Sequence, residues 1–333
     1  MNKSKTPTLN RRQFIKGSVI SFACLPSFAS LSLERKVKMR KAKIALFKTE
    51  DREEGVREVL KIFDLHSMKN KKVLIKPNFN TSDPTPGSTH KDTLSQLVEE
   101  VRKRGASEVI IGERSGPPPT KNVLEEKGIF QLAQDLNFKI INFEELKKED
   151  WVHFNPAGNH WKNGFYLARP AVESEYFVST CCLKTHQYGG VFTLSIKLAV
   201  GITPKKLMRE LHRSPDMRKM IAEINLGYKP QLIVLDGIEA FVDGGPSMGK
   251  RKRANLFLAG DDRVAVDAVG IAVLKELGSN KAIMERKIFE QEQIKRAVEL
   301  GLGITSPDQI ELITPDKESR EYAEKLKSIL AEG

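Results

Sequence analysis

Residues 181–197 read Cys-Cys-Leu-Lys-Thr-His-Gln-Tyr-Gly-Gly-Val-Phe-Thr-Leu-Ser-Ile-Lys, a mostly apolar run carrying two lysines, a histidine and two cysteines around a double glycine. An ammonium buried without a partner is costly, so these groups either lie at a surface or line a site. Lys184, His186 and Lys197 are the candidates for acid–base work. A partly buried lysine with a lowered pKa can also serve as a base or an imine-forming nucleophile. Gly189 and Gly190 let backbone approach a ligand or turn sharply. Lys76 opens Lys76-Pro77-Asn78 after the apolar run Val73-Leu74-Ile75. Three lysines converging on strand ends would form an electropositive pocket for a carboxylate or phosphate. Taken singly, each lysine has an ordinary alternative, a snorkelling or salt-bridged surface position.

The acids divide in the same way. Asp236 and Asp243 flank Gly237 and Gly244-Gly245-Pro246, a loop suited to ligand approach or simply a turn. Asp262 precedes a helical pattern and reads as its N-cap. Asp267 lies mid-helix among apolar neighbours, where a carboxylate needs a partner, and one of the lysines is the expected one. Glu113 stands with Arg114-Ser115-Gly116 after a third apolar run. Asp236, Asp243, Asp267, Glu113 and His186 could jointly hold a divalent metal, although no ligand spacing specifies it. His153 and His160, seven residues apart in an irregular stretch, read as surface residues. Three cysteines in the whole chain cannot supply the four thiolates of an iron–sulfur cluster. Cys181 and Cys182 are either small core residues or, in an oxidising compartment, a vicinal disulfide.

The elements that must position these groups alternate. Ile44–Phe47, Val73–Ile75, Val109–Ile111 and Lys139–Phe143 read as strands, with helices at Thr93–Arg104 and Val123–Leu136. Further strands are expected at Tyr176–Cys181, Leu232–Leu235 and Leu256–Leu258, with a helix over Val264–Leu277 and more elements at 286–300, 309–313 and 317–330. This alternation predicts an α/β fold, a mostly parallel sheet covered by helices. The reading divides it into two α/β halves, 44–150 and 172–333, joined by a connector at 151–171 (a hairpin in outline) with a cleft between the halves. In such sheets ligands bind at the carboxyl ends of strands, where Lys76, Asn78 and Glu113 are expected, and where Lys184 and His186 are expected to follow a strand that has just ended. Neither a Gly-x-Gly-x-x-Gly nor a Walker-type phosphate loop is present.

Residues 1–33 read as a twin-arginine export signal: Arg11-Arg12, Phe14, Lys16, then a short apolar run from Val19. The run is too short for a permanent membrane span. Export to the periplasm through the twin-arginine machinery is therefore expected, a route that moves folded proteins and leaves open a cofactor loaded beforehand. Residues 1–29 hold five Lys or Arg and no acid, so their removal takes the net charge from +12 to +7. Residues 34–43 form a basic linker with six positives against Glu34. The positive balance is thus concentrated at the terminus, and a nucleic-acid-binding face is not indicated.

These landmarks resemble the family called domain of unknown function 362. The matching stretches are Val-Leu-Ile-Lys-Pro-Asn (73–78), Leu-Lys-Thr-His (183–186), Val-Phe-Thr-Leu-Ser-Ile-Lys (191–197), Val-Leu-Asp-Gly-Ile-Glu-Ala (234–240), Asp243-Gly244-Gly245-Pro246 and the run from Ala259 to Ala268. The resemblance extends over roughly 43–313. Many relatives carry Asn where this chain has Leu198, and the iron–sulfur label of some relatives is not implied here. With the resemblance, the ligand-binding set reads Lys76, Asn78, Glu113, Thr185, Gly189, Gly190, Thr193, Asp236, Asp243, Gly244, Gly245 and Asp267 around the catalytic candidates. The leading expectation is an exported protein binding a small anionic molecule, an enzyme if Lys184, His186 and Lys197 do proton chemistry. A non-catalytic carrier of a cofactor or metal, and a redox accessory using Cys181-Cys182, stay open as alternatives.

Overall fold

A computed structural model describes residues 41–63 and 68–333. The export signal read at 1–33, and residues 34–40 of the linker, lie outside the described residues. Lys41 precedes the first strand, and the last two residues of the expected linker belong to that strand.

In chain order the strands are β1 (Ala42–Lys48), β2 (Lys72–Lys76), β3 (Glu108–Glu113), β4 (Lys139–Asn142), β5 (Trp151–Phe154), β6 (Phe165–Ala168), β7 (Tyr176–His186), β8 (Val191–Thr193), β9 (Leu232–Gly244), β10 (Gly249–Arg253), β11 (Leu256–Gly260) and β12 (Ile310–Ile313). The helices are α1 (Arg52–Lys61), α2 (Lys91–Lys103), α3 (Thr120–Glu126), α4 (Ile129–Asp135), α5 (Arg169–Val172), α6 (Ser195–Leu198), α7 (Met208–Arg213), α8 (Met217–Ile224), α9 (Arg263–Glu276), α10 (Lys281–Met284), α11 (Glu292–Glu299) and α12 (Lys317–Glu332).

One ten-stranded sheet runs β12-β1-β11-β9-β7-β2-β3-β4, with β8 paired to β7 and β10 to β9. The pairs β2–β3, β3–β4, β2–β7, β7–β9 and β1–β12 are parallel, so the fold is α/β with a mostly parallel sheet. Its central strands are apolar runs because both faces are covered: all eleven residues of β7 are buried. One face packs Val73, Ile75, Val178 and Val234 against α1–α4, the other packs Leu74, Phe177, Leu235 and Leu258 against α6, α8, α9, α11 and α12. The stretches read as two halves share this single sheet, since β1 sits between β11 and β12 rather than beside β2. The connector does contain a hairpin, β5 with β6, and His160 is tied by its Nδ1 to the buried carboxylate of Glu223 at 2.6 Å.

Three boundaries differ from the periodicity. The helix expected at 123–136 is two, α3 and α4, parted where Gly128 adopts a left-handed φ of 66°. β9 does not stop at Asp236-Gly237, but slips past a bulge there and continues to Gly244. β7 runs on to His186, because β8 folds back and pairs Lys184 with Thr193 and His186 with Val191. Lys184 and His186 are therefore strand residues, not residues of the loop beyond. Cys181 and Cys182 are buried free thiols of the same strand. Successive strand residues point to opposite faces, an arrangement that keeps the two sulfurs apart. Burial pushes the Cys181 thiol well up and that of Cys182 to about 11, which disfavours the reactive thiolate.

Candidate functional site

From β2 the chain moves outward through β3 and β4, then returns to lay β7 on the other side of β2. Loops leaving β2 and β7 therefore diverge, the topological switch at which open α/β sheets bind ligands. A small chamber of about 60 Å³ lies at this point. Lys76 closes β2 and Glu113 closes β3, and both line it together with Asn78, Arg114, Lys184, His186, Thr193 and Lys197. Strand alternation accounts for part of this set. Lys184 and His186 are two apart on β7, and Thr193 lies directly across from Lys184 on β8, so the three share a face.

The four cations of the chamber are held differently. Lys76 Nζ donates to Glu113 Oε1 and to the Pro77 carbonyl, each at 2.5 Å, with only 2% of the residue exposed. Glu113 is further held by the backbone N–H groups of Phe79 and Arg114, both at 2.8 Å. Lys184 Nζ donates to the carbonyls of Gly87 and Pro246. The Arg114 guanidinium is committed to carbonyls of Ser115, Val200 and Thr203. Lys197 Nζ makes no hydrogen bond or ion pair with a described residue, although the side chain is buried.

Three polar atoms of the chamber are fully buried without a partner: Asn78 Nδ2, Thr193 Oγ1 and His186 Nδ1. Buried polar groups are ordinarily hydrogen-bonded, so three such atoms gathered around one cavity that also holds the unpartnered Lys197 amine are unusual. Burial, then Lys184 and Arg114, push the Lys197 amine down to about 7. Burial pushes Lys184 to about 8, and burial with Lys197, Lys184 and His212 pushes His186 to about 2, which keeps its imidazole neutral.

Gly190 fixes the convergence. A Cβ there would stand 2.8 Å from both His186 Nδ1 and Lys197 Cε, so only a glycine lets the two side chains meet over the backbone. Val191, next along, holds a φ of 66°, a strained value for a β-branched residue of the kind that clusters at functional sites.

The chamber opens into a cleft of about 1250 Å³ that shares Asn80, Arg114, His186, Lys197, Val200 and Pro246 with it. Lys205, Arg218 and His212 line the cleft and no described carboxylate does, although Lys205 is paired with Glu144 and Arg218 with Glu292 just outside it; Tyr188 and Met248, 65% and 76% exposed, stand on its rim.

The remaining expected site residues lie elsewhere. Asp267 does not meet a lysine; it accepts from Ser195 N, Ser195 Oγ and Ile196 N, at 2.7, 2.5 and 3.1 Å, and so caps the short helix that carries Lys197. Burial raises its carboxyl to about 7. Asp236 is paired with Arg52 Nε at 3.0 Å and Thr93 Oγ1 at 2.8 Å, at the bulge of β9. Asp243 accepts from Gly244 N, its own neighbour, and from Asn280. Thr185 points away from the chamber and donates to the carbonyls of Phe241 and Gly244. Gly245, at φ 73°, packs where a Cβ would come within 2.0 Å of the Thr185 carbonyl oxygen. This contact presents the Pro246 carbonyl to Lys184. Gly189 lines the outer cleft, and Asp262 caps α9 as expected, accepting from Ala265 N. The five groups read as a joint metal set are thus dispersed, and among the described residues no cluster of three His, Cys, Asp or Glu is placed to hold a metal ion. No described helix is long and apolar enough to cross a membrane.

Arg114 belongs to the chamber and was visible beside Glu113 in the sequence. Lys205, His212 and Arg218 come from a stretch, 203–228, whose short helices give little periodic signal.

Comparisons with known proteins bear on the family. The family described as domain of unknown function (DUF362) matches residues 73–272, a span that contains every chamber residue named above. A thylakoid-associated protein of Synechocystis sp. is 24% identical over 212 residues, covering 61% of this chain and 63% of that protein's length. The lactate racemase apoprotein of Thermoanaerobacterium thermosaccharolyticum aligns over 85% of both chains with 16% identity and a TM-score of 0.44.

Proposed function

The chain belongs to the domain of unknown function 362 family, which supplies no activity, and so from the site alone we propose that it binds a small carboxylate- or phosphate-bearing molecule and moves a proton with Lys197. One observation carries this reading: the unpartnered Asn78 Nδ2, Thr193 Oγ1, His186 Nδ1 and Lys197 Nζ surround a cavity in which Glu113, the one carboxylate among the described lining residues, is already matched to Lys76. Asn78 and Thr193 supply donors for an anion, and Lys184 and Arg114 supply its counter-charge without leaving their carbonyls. The outer cleft, edged by Tyr188 and Met248, receives the rest of the molecule. An amine poised near neutrality can give or take a proton at little cost, and His186, kept neutral, can accept a hydrogen bond from it. Retention of a ligand without turnover would instead favour a carrier.

The test is calorimetric titration with acetate and with phosphate in two buffers of different ionisation enthalpy. Lys197 faces Lys184, Arg114, His186 and His212, with the Lys76–Glu113 pair across the chamber. A bound anion offsets Lys184 and Arg114 and raises the Lys197 pKa above its free value of about 7. Binding must then take up protons just above pH 7. Affinity is level below that pH and falls as pH rises, by up to about tenfold per pH unit while only the bound form is protonated. Binding without proton uptake, or affinity that grows with pH, contradicts the proposal.

The paired Arg11-Arg12 with Phe14 and Lys16 supports export through the twin-arginine route to the periplasm as part of the same proposal. An Arg11→Lys, Arg12→Lys variant should stay in the cytoplasm at precursor mass; unchanged export of that variant would remove this part.

A further inference from the structure

We infer that Lys197 is an imine-forming amine, and that the ligand is a carboxylate bearing an adjacent carbonyl, a 2-oxo acid. This rests on the anion-binding reading and specifies it.

The three lysines of the chamber are not equivalent. Lys76 is committed to Glu113 and Pro77, and Lys184 to two carbonyls. Lys197 alone among them has an amine with no partner, and its stem is held against Gly190 beside the ring of His186. An amine desolvated next to other cations is the arrangement that turns lysine into a nucleophile. Its depressed pKa gives it a larger neutral fraction near pH 7.5 than an ordinary lysine has.

The remaining unpartnered groups match what the reaction needs. Asn78 Nδ2 is a donor for the carboxylate. Lys197 Nζ passes the proton taken up on binding to the carbonyl oxygen and, now neutral, attacks the carbonyl carbon, forming the C–N bond. The resulting carbinolamine loses its hydroxyl with a second proton as water, and the C=N bond replaces the C=O bond with no change in oxidation level. Thr193 Oγ1, uncommitted, can relay the protons from nitrogen to the departing oxygen, and His186 Nδ1, kept neutral, can accept a hydrogen bond that orients the amine. The water leaves through the cleft that the chamber shares with Arg114, His186 and Lys197.

The experiment incubates the protein with pyruvate and sodium borohydride, which delivers hydride to the imine carbon and fixes a secondary amine. Intact mass then counts adducts, and peptide mapping locates them. The expected result is one pyruvate per chain on Lys197, reduced about tenfold or more in Lys197→Met. Adducts spread over surface lysines and unaffected by Lys197→Met overturn the inference. Calorimetry on the same samples separates the two levels: pyruvate bound with no adduct overturns the imine and spares the anion site, whereas neither binding nor adduct overturns both.

Discussion

Replacing Glu113 by Gln is expected to lower folding stability by about 3–5 kcal/mol, the usual result of breaking a buried ion pair from one side. The carboxylate is 1% exposed and serves three donors: the Lys76 ammonium and the N–H groups of Phe79 and Arg114. Gln retains one acceptor oxygen but no charge, so Lys76 is left as a buried cation beside Arg114. The lysine can escape this only by losing its proton, which fixes the sign of the pH dependence. In the variant, the folded-state pKa of Lys76 lies below its unfolded value, so the unfolded chain binds more protons and stability rises with pH up to the unfolded lysine pKa near 10.4. Urea unfolding at several pH values should find the deficit shrinking as pH climbs. A second variant, Lys76→Met with Glu113→Gln, should recover part of the loss, because a well-packed apolar pair can replace a buried ionic one. A deficit that ignores pH, or a double variant no better than the single, would mean that the pair is not the source of the cost.

Lys197→Met has the opposite character. Met is close in volume and lacks the uncompensated amine, so removing it relieves a buried polar group of its desolvation cost. Stability should be unchanged or higher. Anion binding should weaken by about 10- to 150-fold, corresponding to a charge-assisted hydrogen bond of about 1.5–3 kcal/mol. Gains in stability paired with loss of function are typical of groups retained for a site. Gly190→Ala should weaken binding through the same two side chains, since its Cβ would displace the His186 ring and the Lys197 stem. Thermal unfolding with and without acetate checks both variants. If Lys197→Met destabilises the protein and leaves the acetate-induced shift intact, Lys197 is a packing residue.

Much of the architecture is written in local patterns. β1, β2, β3, β7 and α9 announce themselves as buried apolar runs or helical spacing, and Asp262 marks the start of α9. The lysines and His186 were conspicuous as charges set in such runs. What the pattern conceals is where a strand ends when polar residues serve a site: Lys184 and His186 look like the start of a loop, yet β8 keeps them in the sheet. The acids mislead for another reason. Asp236 finds Arg52 and Thr93, and Asp267 finds Ser195, partners 184, 143 and 72 residues away. Nothing in the local sequence distinguishes a carboxylate that secures a helix end or a bulge from one that awaits a ligand. The chamber's unsatisfied groups likewise become visible only when their surroundings are counted.

The most direct test follows the Lys197 amine itself, by NMR titration of isotope-labelled lysine side chains with and without acetate. One signal, missing in Lys197→Met, should titrate near pH 7 and move to higher pH when acetate is added. If every lysine signal titrates near its ordinary value of about 10.4, the amine is solvated or paired, and the electropositive chamber on which the proposal stands does not exist in solution.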